Sequence, residues 1–361
     1  MIAIEKGKIA RWKIDTPFEN WLGKKAENSE FYKKLYCGYY RIFDREYYKK
    51  GVKMAKDILT KWKVDIDDSI IRDMIFCLHR YGFTFYEYFV LGICNKNSKG
   101  REEYIADKMR YEYYYMMNSE KGNKLLRDKG KTYELFQKYF KRKCAPIYDE
   151  KDESKFNEFV SQVNKFIYKP IGKDCGKGVQ ILLSAECNFN ELIKSGPFIV
   201  EELINQSEIM ASFHKESVNT IRIPTVLCND GVHIINPCFR MGRGNSIVDN
   251  AGSGGIFAAV DKETGIVYSK AVSEYGDEEY IKHPDSQKII IGFQIPDWQQ
   301  LIEIVKDAAT VLPEMRYVAW DFAHTDKGWV LVEANGSGQF IIQMADKIGR
   351  KKELLSLISK K

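Results

Sequence analysis

The sequence predicts an α+β protein, with a mainly helical N-terminal region followed by a longer part built largely from antiparallel strands. Three observations lead there. Up to about residue 117 the chain is rich in Tyr, Phe, Lys and Glu, poor in Gly and Pro, and carries apolar residues at helical spacing. From residue 165 it becomes a series of short β-branched or apolar runs separated by Gly, Pro, Asn and Asp, the texture of strands joined by hairpins. Only one helical stretch interrupts those runs, so neighbouring strands pair antiparallel instead of through repeated crossovers.

Length and composition bound the reading. The 361 residues suffice for two or three domains with cores of their own, and 44% apolar with 29% charged is ordinary for a globular chain. The start, MIAIEKGKIARWK, lacks the apolar stretch of a secretory signal, and no run reaches the roughly 18 apolar residues of a membrane helix. A cytoplasmic protein without a transmembrane segment is therefore expected. Eight scattered cysteines form no C-x-x-C pair and five isolated histidines show no metal spacing, so both read as reduced, packed or surface residues. The net charge of +6 is uneven: residues 121–143 hold nine basic residues against Asp128 and Glu134, a local +7. That run reads as a solvated helix face or as one wall of a phosphate-binding cleft. Nucleic acid is not expected as a partner, because the basic charge is local and not spread over the chain.

Taken in order, DDSIIRDMIFCLHRYGF places Ile70, Ile71, Met74, Ile75 and Leu78 at helical spacing, and REEYIADKMRYEYYYMM reads the same way. The many tyrosines here read as core and interface packing, with a sugar-binding platform as the other option. NSEKGNK, 118–124, is a polar linker. Helices follow near 131–142, with Tyr133, Phe136 and Phe140 in register, and over 154–166, with Phe156, Phe159, Val160 and Val163 on one face. KFIYKP, GVQILL, PFIVEELI, NTIRIPTVLC, GVHIINPCFRM, GGIFAAVD, YVAWDFA and WVLVEAN are the strands. The interrupting helix lies near 298–311, with Asp297 and Gln300 as a capping box. Three domains are expected, over 1–117, 118–202 and 203–361.

Chemistry concentrates in YVAWDFAHTDKGWVLVEANGSG, two strands joined through His324–Gly328. Strict alternation puts Trp329, Leu331, Glu333 and Asn335 on one face, while Asp321 faces away from Trp320 and Phe322. A three-residue turn at Asp326, Lys327 and Gly328 sets Asp321 directly opposite Glu333. Side chains so opposed sit about 5 Å apart. Two carboxylates that close repel unless a cation lies between them. Mg²⁺ answers this with its preference for oxygen ligands, and Asn335 adds a neutral oxygen. The alternative, a hairpin end with its charges turned to water, is disfavoured by the surrounding Trp, Leu, Val and Phe.

Magnesium held by so few protein ligands implies phosphates nearby. YKPIGKDCGKGVQIL offers Gly172, Gly176 and Gly178 with Lys169, Lys173 and Lys177, which would cradle phosphates, although a plain glycine-rich hairpin loop looks alike. The spacing is neither the Walker nor the Rossmann pattern. In NTIRIPT, Arg222 shares a face with Thr220 and needs an anionic partner, a structural Asp or Glu or a phosphate; beside the metal pair a γ-phosphate or acyl-phosphate is the better partner. Arg240 and Arg243 are further candidates. The glycine-rich stretch around them reads as a loop that closes over substrate or as a long hairpin connection.

KPIGKDCGKG, FIVEELI, then Asp321 followed by Glu333-x-Asn335, in that order, resemble the ATP-grasp superfamily. SVNTIRI and RMGRGNSIVDNAGSGGI are similar to its sugar-transfer-associated branch, as is RYGFTFYEYF in the N-terminal region. The resemblance covers roughly 125–345. It implies ATP gripped between two α+β subdomains, a lid in 118–202 carrying the phosphate loop and a C-terminal subdomain in 203–361 carrying the magnesium site. By position it implies that Lys129, with Lys131 as a competitor, and Lys169 contact the nucleotide. Gly176, Lys177 and Gly178 would form the phosphate loop, Glu201, Glu202 and Leu203 the adenine hinge, and Glu208 the ribose acceptor. Asp321, Glu333 and Asn335 would be the magnesium ligands, and Arg222, Arg240 and Arg243 would meet the transferred phosphate.

The function implied is an ADP-forming ligase that joins a small-molecule carboxylate, such as a sugar acid of cell-surface polysaccharide or glycoconjugate synthesis, to an amine through an acyl-phosphate. An ATP-grasp kinase acting on a hydroxyl and a nucleotide-binding partner protein without turnover are the other readings. Gly336 and Gly338 are expected to let substrate approach the metal, and Asp321→Asn to leave the fold intact.

Overall fold

Helices fill the N-terminal third and antiparallel sheets dominate the remainder, so the α+β class read from the sequence is the observed one. The computed structural model describes residues 13–173, 177–249, 251–274, 278–338, 340 and 342–360. The chain divides into two units. One gathers Met1–Tyr115, Glu274–Asp277 and Gln339–Ser359, and the other Met116–Ser273, Glu278–Gly338 and Lys360–Lys361, as far as their residues are described.

The helical unit begins with Pro17–Ala26, Glu30–Phe43, Arg45–Lys61 and Asp68–Tyr81. Thr16, Ser29 and Asp67 cap three of these, each accepting from backbone N–H groups of the first turn that would otherwise lack partners. Tyr36, Tyr40, Leu59, Ile75 and Phe76 are fully enclosed. Tyr81, Tyr88, Tyr104, Tyr113 and Tyr114 are buried too, so these tyrosines pack a core.

The strand-rich unit holds β1 (Cys144–Ile147), β2 (Lys165–Pro170), β3 (Gln180–Leu183), β4 (Phe198–Glu202), β5 (Thr220–Cys228), β6 (Gly231–Ile234), β7 (Cys238–Met241), β8 (Ile256–Ala259), β9 (Ala271–Ser273), β10 (Glu279–Tyr280), β11 (Tyr317–Thr325) and β12 (Gly328–Asn335). They form a four-stranded sheet in the order β1-β4-β2-β3 and a larger one in the order β10-β9-β8-β7-β5-β11-β12, with β6 on β5. Every pairing is antiparallel. Phe156, Phe159, Phe166, Phe189 and Phe198 pack one face of the small sheet. Ile221, Ile223, Trp320, Phe322, Trp329 and Leu331 pack the large sheet against helix Trp298–Ala309.

Helix Lys129–Phe140 belongs to the larger core, where Phe136 meets Trp320 edge-on at 5.2 Å. The Trp320 indole N–H donates to Thr225 Oγ1 at 2.9 Å, which satisfies the one polar atom of that ring. Local expectations change at several points. The polar linker expected over 118–124 is largely helix, Glu120–Arg127 behind a Ser119 cap, and short helices Phe189–Ile193 and Glu208–Ala211 also interrupt the strands. The helix begun at Glu153 ends at Val160, short of 166. Asp297 does not close a capping box: its backbone is left-handed at φ 45, and its side chain pairs instead with His324 Nε2 at 3.0 Å. Truncating Phe136 to Ala should cost about 3–5 kcal/mol through lost burial and a cavity beside Trp320, read as a lowered urea midpoint.

Candidate functional site

The β11–β12 hairpin sets the site. Asp321 does pair with Glu333, but by a different route from the one the sequence suggested. Thr325 pairs with Gly328, so the turn has two residues, Asp326 and Lys327, which by itself would bring Val332 opposite Asp321. A bulge in the ladder between Asp321 and Phe322 shifts the register by one and brings Glu333 into place. The bulge also breaks the alternation. Trp329, Leu331 and Ala334 enter the core, whereas Val332 and Glu333 line a cleft with Asp321. Trp329 and Leu331 therefore do not share a face with Glu333 and Asn335, which corrects strict alternation along this strand.

Asp321 is buried and held from two sides. Arg222 on β5, its direct ladder neighbour, donates through Nε to Oδ1 at 2.7 Å and through Nη2 to Oδ2 at 2.6 Å. Arg240 on β7 donates through Nη1 to Oδ2 at 2.8 Å. Where a phosphate was the expected partner of Arg222, the structure supplies a structural carboxylate, in the fork geometry that suits guanidinium. Arg240 also reaches Asp249 at 3.2 Å, and Asp249 accepts from the Thr220 backbone N–H at 3.1 Å and from its hydroxyl. Burial alone would raise the Asp321 pKa, but the two guanidiniums hold it below the ordinary carboxylate range. Burial wins at Asp249, whose pKa is raised even with Arg240 beside it.

The small sheet repeats the construction. Glu201 on β4 is buried between Arg142, which donates to Oε2, and Lys169 Nζ on β2, 2.9 Å from Oε1. Burial would push Glu201 up, but these two cations bring it down to about 2. Lys129 opens its helix and donates to the Lys173 carbonyl at 2.6 Å.

One cleft in the strand-rich unit collects much of this chemistry. Among the expected residues Lys129, Lys169, Lys177, Glu201, Glu202, Arg240, Asp321 and Glu333 line it. Leu126, Ile167, Val179, Ile181 and Ile204 supply apolar surface. Gly178, Leu203, Glu208, Arg222, Arg243 and Asn335 are not in its lining. Gly178 sits at φ 78, a backbone state that favours glycine, and a side chain there would press on Pro170. Glu208 is exposed at the start of a short helix, and Arg243 donates to Gly254 O and to Tyr280 Oη at 2.8 Å. Gly176 lies outside the described residues. Gly336 and Gly338 do not make room for substrate: a Cβ on either would strike Met315 or Ala319 at 2.5 and 2.4 Å, so both serve close packing.

Sequence reasoning passed over Arg142, Thr220 as a capping hydroxyl for Asp249, and Asp249 itself. Arg142 was visible only as one member of the basic run, and Asp249 as an acid inside a glycine-rich stretch.

The donor set suits magnesium in kind. Asp321 and Glu333 are opposed across the ladder, and the Asn335 amide N–H donates to Glu333 Oε2 at 3.3 Å, leaving its carbonyl oxygen to another partner. Asp321 accepts three hydrogen bonds, short of the roughly four that a carboxylate can take. Among the described residues the tight grouping of three His, Cys, Asp or Glu ligands lies elsewhere, at Cys228, Asp230 and His233. Lys360 and Arg316 already occupy that grouping, contacting Asp230 at 2.8 Å and Cys228 Sγ at 3.7 Å.

A family model described as sugar-transfer associated ATP-grasp matches residues 108–358, and the chain belongs to that family. Among solved structures it is similar to the ATP-grasp ligase PsnB complexed with a phosphomimetic variant of minimal precursor, Mg and ADP, at 13% identity over 70% of this chain and 66% of that one, TM-score 0.41. It is also similar to the VanG D-Ala:D-Ser ligase from Enterococcus faecalis, at 13% identity over 65% and 60%, TM-score 0.42. D-alanine–D-alanine ligase from Bacillus anthracis matches at 13% identity over 65% and 66%, TM-score 0.38. This chain thus spans somewhat less than two thirds of each of these three. No curated protein matches it.

The Glu201 cluster makes a pH prediction. A carboxylate whose pKa falls from 4.5 to about 2 on folding adds stability that is fully present above the ordinary value and lost as the pH drops toward 2. Glu201→Gln should therefore cost about 3–5 kcal/mol at neutral pH by stranding Arg142 and Lys169. The difference from the parent should shrink steadily when urea unfolding is repeated at decreasing pH below 4.5.

Proposed function

We propose that this protein is an ATP- and magnesium-dependent ligase that joins a carboxylate to an amine through an acyl-phosphate. The observation that carries the proposal is one cleft in which four lysines, Lys129, Lys169, Lys173 and Lys177, meet Asp321, Glu333 and Arg240 from the large sheet. Cations in that number suit a polyphosphate, and the apolar lining suits a purine. Membership of the ATP-grasp family supports the same nucleotide.

In this reading Lys129, Lys169 and Lys177 bind the phosphates, with Lys169 aimed by Glu201. Glu202 and the backbone at Leu203 border the adenine, since Glu201, expected to read it, is instead held between Arg142 and Lys169, and Glu208 is the proposed ribose acceptor. Asp321, Glu333 and Asn335 would hold the magnesium, which would supply neutralisation of phosphate charge. A substrate carboxylate oxygen attacks the terminal phosphorus and the bond to ADP breaks. The amine nitrogen then attacks the acyl carbon, phosphate leaves and the amine releases a proton. Arg240, locked by Asp321, keeps positive charge beside the transferred group, Arg222 fixes that carboxylate from behind the cleft lining, and Arg243, three residues after Arg240, is held by Gly254 and Tyr280. Positioning and charge do the work, so no protein nucleophile is needed. The family's description as sugar-transfer associated favours a sugar acid, in cell-surface polysaccharide or glycoconjugate synthesis, as the carboxylate.

Glu333→Gln should lower ADP formation by about 100-fold or more and weaken magnesium-dependent ATP binding, with an unchanged melting temperature. Turnover equal to the parent's would sink the mechanism. Asp321→Asn should lose turnover as well, and here the earlier expectation of an intact fold is revised. Removing that charge strands the buried Arg222 guanidinium, leaves Arg240 with Asp249 alone, and should cost about 3–5 kcal/mol. Incubation with ATP and pooled uronic acids, amino acids and amino sugars should release ADP and yield a product equal to two substrates less water. A product gaining one phosphoryl group would make the protein a kinase, and tight ATP binding without ADP would make it a binding protein.

A further inference from the structure

The helical unit carries an apolar surface that its own core does not use. Phe18, Trp21, Phe31, Leu35, Ile42 and Phe43 are between 46% and 75% exposed, and all lie on helices Pro17–Ala26 and Glu30–Phe43. They are not scattered. Ring contacts run without a break from Phe43 to Tyr39 (4.6 Å), Phe18 (5.6 Å), Trp21 (5.8 Å), Tyr32 (6.2 Å) and Phe31 (5.5 Å). On the second helix Phe31, Leu35, Tyr39 and Ile42 recur at helical spacing, while Tyr36, Cys37 and Tyr40 face the core. The helix thus has two apolar faces and buries one. A contiguous aromatic patch of this kind marks a contact surface.

Charge says what kind of surface it meets. Residues 17–61 hold eleven basic and six acidic residues, a net +5. Of those acids Glu19 is buried, Glu27 is paired with Arg80, and Glu30 with Lys33 and Arg72. Exposed Lys24, Lys25, Lys34 and Arg41 border the rings, and Trp21, Tyr32, Lys24 and Lys25 share one shallow hollow.

We infer that this face docks the protein on a membrane surface rich in anionic phospholipid. Aromatic rings settle at the level of lipid headgroups, and lysine stems lie along the apolar surface with their ammonium groups toward phosphate. Each such cation adds attraction to an anionic leaflet. A second copy of the chain fits worse, because a twofold contact through this patch would set +5 against +5. Among the described residues no helix is long and apolar enough to cross a membrane, so the contact is peripheral. The inference does not depend on the ligase proposal.

The test is sedimentation of the full chain with vesicles of phosphatidylcholine alone or mixed with phosphatidylglycerol. Binding is expected to the mixed vesicles only, and to weaken with salt. Phe31→Ser combined with Phe43→Ser, and separately Lys24→Glu with Lys25→Glu and Lys34→Glu, should each reduce it about tenfold or more. Thermal melting of both variants should match the parent. Were the aromatic pair to disturb folding, the lysine set, whose members are all exposed, decides alone. The inference is overturned if the parent ignores anionic vesicles, if it binds neutral ones equally, or if the lysine set binds like the parent. It is overturned too if the chain is a dimer that these substitutions dissociate.

Discussion

The carboxylate of Asp321, clasped by two arginines, is the interaction on which the large sheet and its cleft depend. Arg222 comes from β5 and Arg240 from β7, so one buried acid on β11 ties three neighbouring strands at a single level. Buried charge is costly unless it is balanced and hydrogen-bonded. Here the two guanidiniums are balanced by Asp321 and Asp249, and Thr220 closes the far end of the chain. Cys238, paired with Arg222 in the ladder, completes the layer as a thiol, since burial pushes it up to about 12 despite both arginines nearby.

Glu201 does the same for the small sheet. It sits on β4, an interior strand, and draws Lys169 from the adjacent β2 and Arg142 from the segment before β1. Each sheet thus presents cations at the cleft whose positions are set beforehand by a buried acid. A site that must stabilise charge appearing on a phosphate gains from such groups, because they need no reorganisation when the charge develops.

What could be read from the sequence, and what could not, follows from the range of the forces involved. Most strands of both sheets were legible because alternation and β-branching are local, and KFIYKP coincides with β2 residue for residue, whereas the short β1, β9 and β10 gave too brief a pattern to be read. Helix Trp298–Ala309 was legible for the same reason, yet its cap was not: Asp297 has the residue type for capping, but His324, distant in sequence, claims its side chain. The family was legible because several short motifs occur in one order. The pairing of Asp321 with Glu333 was anticipated on the assumption of a longer turn, and no glycine or proline at Val332 announces the bulge that produces it. The partner of Arg222 was expected to be a phosphate and is Asp321, because a phosphate and a carboxylate make the same demand on a sequence.

By itself the sequence determined which residues could form strands and helices, which carried charge on otherwise apolar strands, and the order of motifs that identifies an ATP-grasp chain. Those properties belong to single residues and their near neighbours. Only the tertiary structure decided that Asp321 serves Arg222 and Arg240, that Glu201 orders Lys169, and that Gly336 and Gly338 are packed rather than open. Such outcomes depend on strand order and ladder register. A shift of one residue there exchanges the two faces of a strand, and with them every partner of a buried charge.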